Sequence, residues 1–463
     1  MTDAGKSFVA DLHIHSYLSR ATSKQCDLPH LALWAQRKGI RLLATGDFTH
    51  PEWFARIEEE LVPGDNGFFR LRPDLTREVA AQVPAACRST VDFVLQVEIS
   101  SIYKRAGAVR KVHNLVYMPD LEAARKLGEA LGRIGNIGSD GRPILGLDSR
   151  DLLEIVLGCS DRAALIPAHV WTPWFSVFGS KSGFDSLEEC YGDLTDHIFA
   201  VETGLSSDPP MNWRLSLLDG LTLVSNSDAH SPAKLGREAN LFHTAVAYDD
   251  VFDALRSGDP KRCGGTLEFY PEEGKYHLDG CRRCGVRLLP DETRGIGGRC
   301  PECGKKITVG VLSRVDELAD RAPGARPDSA LEFSSLVPLQ EVLGECFRQG
   351  PATKRVQREY DRLLGELGPE LTILRALPVE ALRCASTPLL GEAIRRVRAG
   401  ELHIQAGYDG EFGQVGIFGS DERDRLLGQA DLFPVPALPP PVARRADPGA
   451  VVPEPGGAAP PVR

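Results

Sequence analysis

The sequence predicts an α/β protein in which a run of β/α units is followed by a four-cysteine ribbon and a helical C-terminal region. Three observations carry this. Through residues 1–265 short apolar runs alternate with amphipathic ones, the pattern of parallel β/α units. His, Asp and Glu residues recur where those apolar runs end. Two Cys-x-x-Cys pairs come next, and beyond them the apolar spacing turns helical.

The first strand is expected at residues 8–10, running into Asp11, His13 and His15. Side chains two apart in a strand share a face, so His13 and His15 project together and could begin a divalent-metal site. Residues 28–38 read as a helix, with apolar Leu31, Leu33, Trp34 and Ala35 and a stop at Gly39. Residues 40–44 form a strand leading to Asp47 and His50, and 51–61 a helix. A strand over 91–97 ends in Glu98, and one over 112–117 carries His113. Helices follow at 121–134 and 151–157. Strands at 164–168, 198–201 and 221–224 run into His169, into Glu202, and into Asp228 with His230. A helix over 249–256 closes the series. In β/α barrels the active site lies at the C-terminal ends of the strands. One acidic residue or histidine there is noise, but a succession of them is the pattern of a metal-centred active site.

Cys281 and Cys284 are separated by fifteen residues from Cys300 and Cys303. Four thiolates at that spacing suit a closed, structural zinc site. Arg282, Arg283, Arg287, Arg294, Arg299, Lys305 and Lys306 outnumber Asp291, Glu292 and Glu302 around it. The excess suggests phosphate contact, with a merely solvated face as the alternative. Residues 311–400 read as helices, with 334–343 apolar at helical spacing. Lys354, Arg355, Arg358 and Arg362 share one helix face, and a helix over 380–400 ends in Arg395, Arg396 and Arg398. Either face could meet DNA or only water. Glycines punctuate two short strands over 404–418, and the Pro- and Ala-rich stretch from Pro434 onward is expected to be disordered. The expected divisions are 1–265, 266–310, 311–432 and 433–463.

A formal net charge of −10 argues against attraction of the whole chain to nucleic acid but leaves room for a local basic face. No stretch is apolar enough to span a membrane, and the first residues show no export signal. Eleven cysteines, an odd number, without that signal suit a reducing, cytoplasmic setting. No Gly-x-x-x-x-Gly-Lys-Ser/Thr loop is present, so no nucleotide-driven activity is expected. His30, His197, His243, His277 and His403 join no ligand pattern, and Cys26, Cys87, Cys159, Cys190, Cys263, Cys346 and Cys384 read as core residues.

Asp11-Leu-His13-Ile-His15, Glu98, His113, Ala-His169 and Ser-Asp228-Ala-His230 resemble the motif set of the polymerase and histidinol phosphatase (PHP) superfamily. The resemblance implies a distorted seven-stranded (β/α)7 barrel that hydrolyses phosphoesters with two or three divalent metals (Zn, Mn or Mg). It implies one metal on His13, His15, Glu98 and Asp228, and a second on Glu98, His113 and His169. A third would rest on His230, Asp47 and His50. The chain lacks the histidine that many members carry shortly after His-x-His, and Gly46-Asp47-Phe-Thr-His50 replaces the usual Asp-His pair. Glu202 is expected to play a structural role.

With the ribbon and Gly407-Tyr-Asp-Gly-Glu-Phe-Gly413, the pattern from Phe8 to Phe418 is similar to the endonuclease Q family of DNA repair nucleases. That implies incision 5′ to a deaminated base (uracil, hypoxanthine, xanthine) or an abasic site, with the base flipped out of the stack. It makes Asp228, with His13, His15 and Glu98, the catalytic set. Arg20 and Lys24 would contact phosphates, and Trp171, Trp174 and Phe175 would wedge the duplex or pack the rim. Arg282 and Arg283 would add DNA contacts beside one structural zinc. Damaged DNA is the expected partner, with residues 429–433 as a candidate sliding-clamp peptide and a monomer as the default. Rival readings are a phosphomonoesterase acting on a small metabolite, a non-catalytic DNA-binding or scaffolding protein, and an exonuclease.

Overall fold

The computed structural model describes residues 7–427, so the 429–433 peptide and the 433–463 tail lie outside the described residues. The strands are β1 (Phe8–Asp11), β2 (Leu42–Ala44), β3 (Leu61–Pro63), β4 (Phe69–Leu71), β5 (Asp92–Arg105), β6 (Ala108–Met118), β7 (Ile144–Leu145), β8 (Ala164–Pro167) and β9 (Ala200–Glu202). They continue with β10 (Thr222–Val224), β11 (Ala239–Phe242), β12 (Cys263–Glu268), β13 (Asp279–Cys281), β14 (Val286–Leu288), β15 (Phe333–Ser335), β16 (His403–Gln405) and β17 (Gln414–Gly416). Every residue of β1, β2 and β8 is buried, which is why these strands read as unbroken apolar runs rather than alternating ones.

The sheet is mixed rather than all-parallel. β1 runs parallel to β2 but antiparallel to β11, and β2 runs parallel to β5. The expected separate strands carrying Glu98 and His113 are instead the arms of one long antiparallel hairpin, β5 and β6. Its two turn residues, Ala106 and Gly107, both have positive φ (52° and 78°), the backbone that matches the strand twist in a two-residue hairpin turn. Glu98 therefore lies within a strand, not at its end. β8 pairs with β6, while β9 and β10 form a separate parallel pair. Single backbone bonds join the neighbouring ends: Val170 N donates to Glu202 O (3.0 Å) and His15 N to Ala229 O (3.2 Å). Strand pairing among the described residues gives an eleven-stranded branched sheet and three two-stranded ones, of which β9–β10 lies next to the large sheet through these single bonds.

The helix Leu28–Lys38 has the expected bounds, capped by Asp27, which accepts from His30 N, and stopped by Gly39 at φ 89°. Two C-terminal helices differ from expectation. The 334–343 run splits into β15 and a helix Leu339–Phe347 that starts after Pro338, and β15 joins the main sheet parallel to β12. The 380–400 run is two helices, Val379–Ala385 and Pro388–Ala399, because a proline disfavours helical backbone in the residue before it. Cys384, expected in the core, is exposed. β13 and β14 carry the first cysteine knuckle, and β16 and β17 form the expected hairpin. Arg314, on the helix Val311–Leu318, ties this region back by donating to Phe178 O and Phe184 O, both at 3.0 Å. Among the described residues no helix is long and apolar enough to cross a membrane.

Candidate metal centre

The end of β1 delivers His13 and His15 to one side, and both are fully buried. His13 Nδ1 lies 3.0 Å from Glu202 Oε1, and His15 Nδ1 lies 3.0 Å from Asp47 Oδ1. A carboxylate only accepts, so each Nδ1 carries a proton and each Nε2 is the atom left to ligate once it is deprotonated. The two Nε2 atoms turn toward Asp228, with Oδ1 at 3.7 Å from His13 and 3.1 Å from His15. These three atoms are buried without a hydrogen-bond partner. Three orphaned donors of this chemistry within 4.8 Å of one another suit a divalent cation.

A second group adjoins the first. Glu98 Oε1 lies 2.6 Å from His113 Nδ1 and 3.0 Å from His169 Nε2, while Glu98 Oε2 lies 3.3 Å from His15 Nε2. One carboxylate therefore faces both groups. Burial pushes the Glu98 carboxyl up, but the hydrogen bond from His113 and the Arg142 guanidinium outweigh it and hold it well below the usual carboxylate range. Burial pushes His113 down to about 4, so its imidazole is neutral and ready to ligate at neutral pH.

The remaining sequence candidates fall as follows. Asp47 is turned to the far side of the His15 ring from Asp228. It accepts from His15 Nδ1, from Ser16 N (2.7 Å) and Oγ (2.6 Å), and from Ser19 Oγ (2.8 Å). His50 Nε2 lies 3.1 Å from Gly138 O. His230 packs its ring 4.8 Å from that of His15, with Nδ1 2.9 Å from Asp228 O. Among the described residues, Asp47, His50 and His230 do not form a group with ligand atoms within 4.8 Å of one another. Glu202 accepts from three sides, from His13 Nδ1, Asn226 Nδ2 (2.8 Å) and His169 N (2.8 Å).

Arg20, Lys24, Arg282 and Arg283 are exposed. Arg282 is also engaged, with Nε 3.3 Å from Glu411 Oε1. Trp171 departs from its expected place at the DNA surface: it is 1% exposed and donates Nε1–H to Asn212 Oδ1 (2.7 Å). Trp174 is exposed and Phe175 packs over His113 at 4.6 Å. Arg395 and Arg396 pair with Glu392, Glu401 and Glu422, and Arg398 caps carbonyls of residues 373–377. That face is thus committed internally. The sulfurs of Cys281, Cys284, Cys300 and Cys303 lie within 4.8 Å of one another.

Sequence reasoning missed Arg142, whose Nη1 lies 3.0 Å from Glu98 Oε2. Its loop is fitted to the site: a Cβ on Gly141 would come within 2.5 Å of Ser19 Oγ and press on the Asp47 carboxylate. Nothing in the pattern Asp140-Gly-Arg-Pro143 announces that contact, which exists only through the tertiary fold.

A family model described as PHP-associated matches residues 215–260, and one described as the MJ0043 C-terminal domain matches residues 338–401. The Methanocaldococcus jannaschii protein MJ0043 is 33% identical over 253 residues, which span 53% of this chain and 31% of that protein. The Bacillus subtilis protein YqxK is 30% identical over 428 residues, covering 89% of this chain and 99% of that one. The lesion-specific endonuclease PfuEndoQ from Pyrococcus furiosus superposes with a TM-score of 0.78 at 31% identity, covering 92% of this chain and 98% of that one. An endonuclease Q complex with a 27-mer duplex, bearing an abasic lesion at the active site, superposes with a TM-score of 0.76 at 30% identity, covering 92% and 99%. With likeness of this order along nearly its whole length, this chain belongs to the endonuclease Q family.

Proposed function

We propose that this chain is a metal-dependent DNA repair endonuclease that hydrolyses the phosphodiester 5′ to uracil, hypoxanthine, xanthine or an abasic site. The observation that carries the reading is the pair of donor groups meeting across Glu98, in a chain whose relative was crystallised on a duplex with an abasic lesion. His13, His15, Glu98 and Asp228 would hold one cation, and Glu98, His113 and His169 a second. Zinc, manganese and magnesium are the candidate metals, and His230 stands at the open side for any third. The four cysteines would hold a structural zinc as a ribbon. We read β1, β2, β5, β6, β8, β9 and β10, with the single bonds at Val170 and His15, as the seven strands of a distorted barrel.

Cations bound there would neutralise the phosphodiester and lower the pKa of an attacking water. The residues of the chain do the rest. Glu202 and Asp47 keep the proton on Nδ1 of His13 and His15 and so aim Nε2 inward. Asp228, with 28% of its side chain open, orients the water in line with phosphorus. Arg142 leaves a guanidinium at the rim for a phosphate oxygen. Arg20, Lys24, Arg282 and Arg283 offer charge to the DNA backbone, and Trp174 and Phe175 an apolar face beside the extruded base.

The test is a labelled duplex carrying one deoxyuridine, incubated with manganese or magnesium beside the undamaged duplex and a small phosphomonoester. One incision 5′ to the uracil, and nothing on the other two, is expected. Phosphate release from the monoester with both duplexes intact would replace this reading by a phosphomonoesterase.

A further inference from the structure

Ten large hydrophobic side chains are exposed among the described residues, and just two of them are aromatic: Trp174 at 45% and Phe412 at 70%. Those two stand on one continuous surface that starts at the metal centre. Phe175 lies against His113 at 4.6 Å, and its neighbour Trp174 meets Tyr276 edge-on at 6.0 Å. Lys275, adjacent to Tyr276, holds its ammonium 4.6 Å from the Phe412 ring. Cations border the path: Lys111 lies 5.2 Å over Phe175, and Arg287 lies 4.9 Å over Tyr408.

The loop that presents Phe412 is rigidly seated. Gly407 N donates to Glu272 O (2.8 Å), Gly413 N to Glu273 O (3.0 Å) and Gly410 N to Lys275 O (3.0 Å). Arg282 N donates to Asp409 Oδ2 (2.7 Å). A Cβ on Gly407 would strike Gly274 O, and one on Gly413 would strike Glu272 O, so these glycines permit the close approach. The carboxylates of Asp409 and Glu411 face the backbone amide and the guanidinium of Arg282, while Phe412 meets the Lys275 ammonium and keeps 70% of its surface open. A fixed loop that holds a phenyl ring in water gains nothing by burial within this chain; it is preorganised for an aromatic partner. Beside a basic rim, that partner is a stacked base.

We propose that Phe412, joined to Trp174 through Lys275 and Tyr276, is the wedge that enters the base stack of a duplex and fills the gap left by the extruded lesion. The proposal rests on the endonuclease reading above and names the element that opens the substrate. The sequence Gly407-Tyr-Asp-Gly-Glu-Phe-Gly413 then has a function: Gly407 and Gly413 let the loop close on residues 271–276, and Phe412 does the prying.

The experiment compares the wild-type chain, Phe412→Ala and Phe412→Trp on two substrates carrying the same single deoxyuridine. One is fully paired, and the other has the lesion inside a pre-melted bubble. Phe412→Ala should slow incision of the paired duplex by about tenfold or more, since one base–aromatic stack is at stake. Its rate on the bubble should stay close to wild type, and Phe412→Trp should restore cleavage of the paired duplex. A 2-aminopurine next to the lesion should brighten on binding the wild-type chain and not on binding Phe412→Ala. Equal loss on both substrates, or no loss on either, would overturn the wedge. Failure of the wild-type chain to cut either substrate would instead sink the endonuclease reading, and the wedge with it.

Discussion

Asp47 and Glu202 each meet the Nδ1 of a candidate ligand histidine, and this contact has consequences that can be measured. Outer partners that fix the tautomer of a ligating histidine are worth about 10–100-fold in metal affinity. Glu202→Gln should weaken the first cation by that order, read by calorimetric titration, with the far-UV spectrum unchanged; an unaltered affinity would remove Glu202 from the supporting set. Burial opposes charge on His13, but Glu202 and Asp228 carry it up to about 10, so the metal-free ring holds a second proton at neutral pH. A ligand must shed that proton, so cation binding should release protons and tighten as pH rises toward about 10. Titrations in buffers of different ionisation enthalpy would report the release, and identical heats in all of them would contradict it. Asp47, His169 and Asp228 sit at φ 48°, 28° and 45°, a region costly for side-chain-bearing residues and concentrated at functional sites. The residues that meet in the two donor groups were legible as candidates in the sequence because each closes or occupies a short apolar run. The partner of each ring nitrogen was not, since Glu202 meets His13 across 189 positions of chain.

At the scale of elements, the loop bearing Arg142 is the part that sequence reading left blank. Gly141→Ala should push that loop off Asp47 and Ser19, tilt His15 through Asp47, and cut activity by about tenfold or more. Steady-state incision kinetics with a thermal melt as control would check this, and wild-type kinetics would contradict it. The cysteine cluster makes a separate prediction. Cys300→Ser should lower the metal content by one zinc and destabilise β13 and β14, while metals at the histidine site remain. Elemental analysis on both proteins would decide, and an unchanged zinc count would mean the cysteines hold none. Where the sequence misled, the cause was local grammar. Ala106-Gly107 is a two-residue hairpin turn, and Pro338 and Pro388 each restart a helix inside an apolar run. Periodicity alone does not see any of the three.

Across the whole molecule, a chain of net charge −10 must bring its site to a polyanion through local features. Cations held by the histidines and carboxylates, together with Lys111, Lys275 and Arg287 along the aromatic path, would supply such a patch, whereas the helix ending in Arg395, Arg396 and Arg398 is paired internally. The order of elements along the chain was legible: strands ending in histidines and carboxylates, then paired cysteines, then helices and a hairpin. The way the strands join was not, because β1 pairs with β11 and β12 with β15 across long separations that no short-range pattern encodes. We propose that this assembly incises DNA internally at a lesion through the histidine–carboxylate cluster. It is tested most directly on a covalently closed duplex circle carrying one deoxyuridine, with manganese, for the wild-type chain and Asp228→Ala. The account predicts a single nick on the 5′ side of the uracil by the wild-type chain and an intact circle with Asp228→Ala, which still binds the DNA. An intact circle with both proteins, alongside digestion of the linear form from its ends, would contradict it.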